Sequence, residues 1–159
     1  MKRIGDLEIY VGTKEEYELA RSKGMKIVCA LNRANGHVTH QSVVGWSGRG
    51  CNRDNPYYLF KETEEAIYLN MIDGDNPAYV SNEMIDPALG FIKRALGNEE
   101  KVFIYCSLGE SRSPSIALMY LLENDLIDRE DADKVFRENY YSEYKPKFGN
   151  LGYIQQRWL

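Results

Sequence analysis

Two apolar runs joined by a short turn rich in glycine and serine, between residues 101 and 122, constrain the fold more than any other part of the sequence. The first run, KVFIYC, has the length and the β-branched and aromatic content of a buried strand. The second run, residues 114–122, starts with Pro114. Proline suits the first turn of a helix, because an amide hydrogen at that position would have no partner within the helix. A buried strand leading into a buried helix is typical of α/β folds.

The rest of the chain alternates strand and helix patterns in the same way. Further strands are predicted at residues 7–11, 25–31 and 66–72, and further helices at residues 14–23, 81–96, 129–139 and 153–158. We therefore expect one domain over residues 1–159, an α/β fold with a central, mostly parallel sheet flanked by helices. Residues 32–63 are rich in Gly, Asn and Arg and predict a long irregular insertion, although the aromatic residues there are equally consistent with a structured one.

Composition and charge narrow the functional classes. A net charge of −4 gives no global basic field, so no nucleic-acid partner is expected. No apolar run approaches the roughly 20 residues that span a bilayer, so no membrane partner is expected. The basic first residues are not followed by the apolar segment of a secretory signal peptide, so we expect a cytoplasmic protein. The three cysteines, Cys29, Cys51 and Cys106, are widely spaced and indicate neither a disulfide framework nor a metal site.

The turn between the two apolar runs, residues 106–112, has the composition of a phosphate-binding loop, which we call the cradle. Amides of a short loop entering a helix N-terminus converge on an anion, and the helix dipole adds to them. Gly109 allows a tight turn, and Arg112 offers a planar pair of donors to two phosphoryl oxygens. The residues predicted to surround the phosphate are Ser107, Leu108, Gly109, Glu110, Ser111 and Arg112.

The same positive field favours the ionised sulfur of Cys106, the form of cysteine that acts as a nucleophile. We predict that Cys106 attacks phosphorus and forms a phosphocysteine intermediate. Ser113 could hydrogen-bond the sulfur and help it leave during hydrolysis. A serine before a proline is equally a plain helix cap, and the two roles can coexist.

A departing alkoxide or phenoxide needs a proton from a carboxylic acid on a separate loop. Asp73 and Asp75 follow the strand predicted at residues 66–72, where such a loop should be, and the same residue would later take a proton from water. Either aspartate could instead only form a turn. Because the cradle and Arg112 already stabilise the phosphoryl charge, no metal or other cofactor is required.

These segments resemble a known family. Residues 106–112 resemble the C-x5-R signature of the cysteine-dependent protein tyrosine phosphatases, and CSLGESRSPSIALMYLL is most similar to the dual-specificity branch. LEIYVGT resembles the first strand of that branch, YLNMIDGDNPAYVSNEMIDPALGFIKRAL its acid loop and next helix, and KFGNLGYIQQRW its last helix. The resemblance implies Cys106 as nucleophile, Arg112 as phosphate ligand, Ser113 as thiolate helper and an aspartate as general acid.

Two departures from the family pattern bear on activity. The family usually has His before the cysteine, whereas this chain has Tyr105, so we expect weaker activity or a higher pH optimum. Asp73 fits an Asp-Gly-x-x-Pro form of some members, whereas the distance to the helix residue Phe91 favours Asp75; we slightly prefer Asp73.

The sequence thus predicts a metal-independent phosphatase that hydrolyses phosphotyrosine, with phosphoserine and phosphothreonine as further substrates, in phosphorylated proteins. One alternative is a phosphatase of RNA 5′ ends, phosphoinositides or other non-protein phosphates, because the cradle is expected to contact only the phosphoryl group and not the molecule that carries it. Another is a catalytically weak phosphate-binding module, motivated by Tyr105.

Overall fold

A six-stranded sheet forms the centre of the computed structural model, which describes residues 1–159. The strands are β1 (Lys2–Arg3), β2 (Ile9–Thr13), β3 (Lys26–Cys29), β4 (Phe60–Glu62), β5 (Ala66–Leu69) and β6 (Val102–Cys106). The helices are α1 (Tyr17–Ser22), α2 (His40–Val44), α3 (Asn82–Gly97), α4 (Arg112–Glu123), α5 (Ala132–Asn139) and α6 (Phe148–Trp158). Short 3-10 helices cover Lys14–Glu16 and Pro77–Tyr79.

The sheet has the order β1-β2-β6-β3-β5-β4. Its four inner strands are parallel, and the edge strands β1 and β4 are antiparallel to their neighbours. This arrangement confirms the predicted α/β fold with a mostly parallel sheet. Because β2, β3, β5 and β6 run in one direction, the segments that follow them meet at one edge of the sheet, where parallel α/β sheets place their ligand sites.

Helix α4 is buried along its length because it lies between the sheet and two other helices. It packs on β6 and β2 on one side and on α3 and α6 on the other. All its residues except Glu123 are buried, and full burial of each leucine contributes about 1.5–3 kcal/mol. The first turn of α4 is thereby held rigidly at the end of β6.

Boundaries differ from the predicted ones mainly at helix ends. Helix α4 begins at Arg112 rather than at residue 114, and α6 begins at Phe148 rather than at residue 153. Pro87 lies inside α3, which continues past it to Gly97. Within residues 32–63 the chain forms α2 and the edge strand β4, joined by turns.

None of the helices combines the length and the apolar character that crossing a membrane requires.

Candidate active site

Cys106 is the last residue of β6 and the first residue of the cradle. The cysteine is 2% exposed, and its Sγ is 3.1 Å from Ser113 Oγ in the first turn of α4. Ser113 Oγ also lies 3.2 Å from the carbonyl oxygen of Gly12 in β2. A hydroxyl has one hydrogen, so Ser113 donates either to Gly12 or to an ionised sulfur. The serine can therefore respond to the charge of the thiol by turning its hydrogen.

The cradle bends tightly at Gly109, which has a φ of +72°. A Cβ atom there would lie 3.1 Å from the carbonyl oxygen of Gly12, so glycine suits both the backbone conformation and the close approach to β2. The Gly109 carbonyl accepts a 2.7 Å hydrogen bond from the hydroxyl of Tyr141, and the Glu110 carbonyl accepts one of 2.8 Å from the Lys145 amide. The segment between α5 and α6 therefore holds the backbone of the cradle in place through these two hydrogen bonds.

The backbone amides of residues 107–111 remain as free donors. None of them donates a hydrogen bond to another backbone group. Buried or half-buried amides in native proteins are nearly always paired, with protein, water or a ligand. The loop therefore presents donors of the kind that bind an anion at a helix N-terminus.

The Arg112 guanidinium makes hydrogen bonds through only one of its nitrogens, Nη1. Its Nη1 donates to Asn32 Oδ1 and to the Met71 carbonyl oxygen, each at 3.0 Å. The residue is 8% exposed, and its Nε is buried without a hydrogen-bond partner. A buried guanidinium N–H without an acceptor is costly, so this group is suited to an oxyanion that enters the cradle.

The two candidate acids have different surroundings. Asp73 Oδ1 accepts hydrogen bonds from Ser111 Oγ at 2.7 Å and from Asn150 Nδ2 at 3.0 Å. Asp75 is exposed, and its side chain makes no hydrogen bond or ion pair. Of the two carboxylates, Asp73 is the one in contact with the cradle.

Helix α6 holds the segment that carries Asp73. Asn150 is fully buried and donates to both Asp73 and Ser111, while the Lys147 amide donates to Ser111 Oγ at 2.9 Å. The Gly149 amide donates to the Gly74 carbonyl oxygen at 2.9 Å, and a Cβ at Gly149 would lie only 2.4 Å from that oxygen. The segment between β5 and α3, residues 70–81, which we call the acid loop, thus forms one hydrogen-bonded unit with the cradle and α6.

Tyr105 directs its side chain away from the cradle. Its ring packs 5.7 Å from that of Phe103 and 5.6 Å from that of Tyr17, measured between centroids. The hydroxyl donates to the Val38 carbonyl oxygen at 2.6 Å, and burial raises the pKa of Tyr105 well above its usual range. The tyrosine thus stays neutral and tied to residues 32–63.

His37 and His40 have separate partners. The fully buried His40 accepts from Trp46 Nε1 on Nδ1 at 2.9 Å and donates from Nε2 to the Tyr57 carbonyl oxygen at 2.7 Å. Burial lowers the pKa of His40, in keeping with a neutral ring that joins two parts of the insertion. His37 lies 3.8 Å from Glu15.

Several residues at the site carry no signal in the sequence. Asn32 and Asn150 follow no recognisable spacing, and Lys14, whose Nζ is 3.3 Å from Ser107 Oγ, lies 93 residues before its partner. Only their position in the folded chain brings them to the cradle. An unusual polar residue in an apolar context, such as Asn150 in a helix that packs on α4, is the one hint that could have found them.

The chain is similar to known proteins over most of its length. Residues 9–156 match the family model described as dual specificity phosphatase, catalytic domain. A probable dual specificity protein phosphatase of Dictyostelium discoideum is 39% identical over 64 residues, a match that spans 40% of this chain and only 23% of that relative.

Two solved structures show the same fold over 98% of this chain. The PTP-2 phosphatase of Cydia pomonella superposes with a TM-score of 0.66 at 14% identity, and 88% of its chain is covered. The human tyrosine phosphatase-like serine/threonine/tyrosine-interacting protein superposes with a TM-score of 0.66 at 18% identity, and 93% of its chain is covered. Because the family model matches nearly the whole sequence, this chain belongs to the dual specificity phosphatase catalytic-domain family.

Proposed function

We propose that the chain is a metal-independent phosphatase that hydrolyses phosphotyrosine, and also phosphoserine and phosphothreonine, in protein substrates through a phosphocysteine intermediate. The observation that carries the proposal is the buried Nε of Arg112, which has no partner beside a loop whose amides are also free. Such a set of donors is stabilised by an oxyanion and is costly without one. A catalytic thiol must stay reduced, so the proposal includes a cytoplasmic location.

In the first step, the ionised Sγ of Cys106 attacks phosphorus as the bond from phosphorus to the leaving oxygen breaks. The equatorial oxygens accept hydrogen bonds from the cradle amides and from Arg112, which stabilise the charge of the transition state. Asp73 donates a proton to the leaving alkoxide or phenoxide oxygen. We assign this role to Asp73 rather than Asp75 because Asp73 contacts Ser111 of the cradle.

In the second step, water attacks the phosphorus of phosphocysteine and gives a proton to the Asp73 carboxylate. The bond between sulfur and phosphorus breaks, and inorganic phosphate leaves. Ser113 favours this step because its hydroxyl, 3.1 Å from Sγ, can donate to the sulfur as negative charge returns to it.

The surroundings of the cradle support a protein substrate over RNA ends or phosphoinositides. Large apolar side chains are exposed on the cradle, on the acid loop and at the start of α6: Leu108, Ile72, Tyr79 and Phe148. Exposed apolar groups close to a site mark contact with another macromolecule's apolar groups, which peptide side chains supply. Lys14 is the one lysine whose side chain donates a hydrogen bond to the cradle, whereas highly charged non-protein phosphates favour a rim of several arginines and lysines.

A second candidate is a phosphate-binding module with weak turnover. The residue before the proposed nucleophile is Tyr105, so no imidazole is present there. The Tyr105 hydroxyl instead donates to the Val38 carbonyl oxygen. This candidate keeps the same anion site and differs only in the rate of the chemical steps.

Hydrolysis of an aryl phosphate and of phosphotyrosine, phosphoserine and phosphothreonine peptides tests the proposal. We expect turnover that is sensitive to vanadate and resistant to EDTA, lost in Cys106→Ser and kept in the matched control Cys51→Ser, whose thiol lies in the insertion. Full activity of Cys106→Ser would refute the mechanism. Tight phosphopeptide binding without turnover by the wild-type chain would instead establish the second candidate.

A further inference from the structure

The first residue of the insertion and a residue that follows β5 both contact the same nitrogen of Arg112. Asn32 comes shortly after the end of β3 at Cys29, and Met71 shortly after the end of β5 at Leu69. The side-chain oxygen of Asn32 and the carbonyl oxygen of Met71 each accept a 3.0 Å hydrogen bond from Nη1. Residues 32–71 thus begin and end at the group proposed to bind phosphate.

These two hydrogen bonds fix the plane of the guanidinium. A terminal guanidinium nitrogen carries two hydrogens, and two acceptors satisfy both. Since the group is planar, holding Nη1 also sets the directions of the remaining N–H bonds. The unpartnered Nε is one of these, so the orientation offered to an oxyanion depends on the two acceptors.

The insertion in turn holds Asn32 in place. The carbonyl oxygen of Asn32 accepts from the Gln41 amide at 2.9 Å, and that of Leu31 accepts from the His40 amide at 3.0 Å. The His40 ring joins Trp46 to the Tyr57 carbonyl. Asn32 therefore connects the packed part of the insertion to Arg112 through one side chain.

We propose that Asn32 is a positioning residue that orients the Arg112 guanidinium for phosphate binding, and that residues 32–63 thereby set the phosphate affinity of the site. The inference rests on the proposed function and gives the insertion a role in the phosphate-binding site. Met71 contributes a main-chain oxygen that no side-chain substitution removes, so Asn32 is the contact that can be tested.

The test compares Asn32→Ala with Asn55→Ala in the full chain. Asn55 belongs to the same insertion, and its Oδ1 accepts from a backbone amide, that of Tyr57 at 2.8 Å, but it does not contact Arg112. Loss of one hydrogen bond to a charged group predicts that Asn32→Ala raises the Kd for inorganic phosphate and the KM for an aryl phosphate about tenfold. Asn55→Ala should change both by less than about twofold.

The readout separates orientation from loss of structure. A smaller folded fraction would lower kcat in proportion and leave Kd and KM unchanged. Wild-type Kd and KM in Asn32→Ala, or an equal rise in Asn55→Ala, would overturn the inference. A wild-type chain that neither binds inorganic phosphate nor hydrolyses the ester would instead overturn the proposed function.

Asn32→Asp is the second variant, and it tests the inference if the alanine variant does not fold. Aspartate keeps an acceptor of the same shape for Nη1, so folding should be preserved, but it adds a negative charge beside the cation that binds phosphate. We expect a phosphate Kd raised about tenfold at low ionic strength, with a smaller effect at high salt. An unchanged Kd at low salt would contradict the placement of Asn32 next to the anion.

Discussion

Cys29 and Cys106 end neighbouring parallel strands, β3 and β6, and both are buried, yet their surroundings differ. Cys29 packs in the smaller core cluster with Phe103 and Tyr105, and its thiol lies 3.5 Å from the Leu31 carbonyl oxygen. Burial raises the pKa of Cys29 to about 11. Cys106 packs in the larger cluster, which also contains most of α4, and is the first residue of the cradle.

The end of a parallel strand therefore does not by itself decide the surroundings of a thiol. Successive residues of a strand point to opposite faces, so Tyr105 and Cys106 belong to different clusters although they are adjacent. The sulfur of Cys106 meets the first turn of a helix and Ser113, whereas that of Cys29 meets backbone carbonyls, which disfavour a negative charge. Only Cys106 therefore has the surroundings that the proposed mechanism requires of its nucleophile.

The largest expected effect is a contrast in alkylation. At pH 7 a thiol with a pKa of about 11 is ionised to roughly one part in 10⁴. We therefore expect iodoacetate, whose carboxylate can enter the cradle, to modify Cys106 about 10³-fold faster than Cys29. Labelling of Cys29 should increase as the pH rises towards 11, because its thiolate fraction grows tenfold per pH unit below the pKa.

Mass spectrometry of the labelled peptides measures both rates in one sample. Inorganic phosphate should protect Cys106 and leave Cys29 unaffected. Equal labelling of the two cysteines in the folded chain would remove the distinction drawn between them.

A smaller effect, about 10²-fold, is expected for Asp73→Asn on kcat with a phosphotyrosine peptide, because the leaving oxygen then lacks its acid. Asparagine keeps Oδ1 as an acceptor for Ser111 and Asn150, so the substitution removes the proton and not the contacts. Substrates with a better leaving group should be affected much less.

Asp75→Asn is the matched control, since its exposed side chain makes no hydrogen bond or ion pair, and turnover should change by less than about threefold. The reverse pattern would assign the acid to Asp75, and negligible effects of both substitutions would exclude both residues.

The smallest effect on rate is expected for Tyr105→His, which exchanges the buried tyrosine for the residue usual in the family. The Val38 carbonyl oxygen loses its donor, so the free energy of unfolding should fall by about 1–3 kcal/mol. An imidazole in this position should also increase the thiolate content of Cys106 near neutral pH, by a few fold.

Tyr105→Phe separates the two consequences, because it removes the hydroxyl without adding an imidazole. Denaturant unfolding and the pH dependence of Cys106 labelling measure them. A labelling profile of Tyr105→His identical to that of Tyr105→Phe would show that this position does not influence the thiol.

The parts of the structure whose interacting residues are close along the chain were predicted most accurately. The strand, the cradle and the first turn of α4 occupy consecutive residues, and the alternation of strand and helix patterns predicted the α/β fold. Helix ends were less accurate: α6 starts five residues earlier than predicted, at Phe148, because its first turn is stabilised by packing on the acid loop rather than by a periodic apolar pattern. Intrinsic helix propensities of residues do not include such tertiary contacts.

The family, the fold class and the order of groups in residues 106–113 follow from the amino-acid sequence, since local spacing dictates how a loop enters a helix. Which aspartate contacts Ser111, and which residues hold Arg112, follow only from the folded chain. Asp73 is 38 residues from Ser111, and Asn32 is 80 residues from Arg112. Contacts over such separations exist only after the sheet has assembled, because packing, and not local preference, brings those side chains within hydrogen-bonding distance.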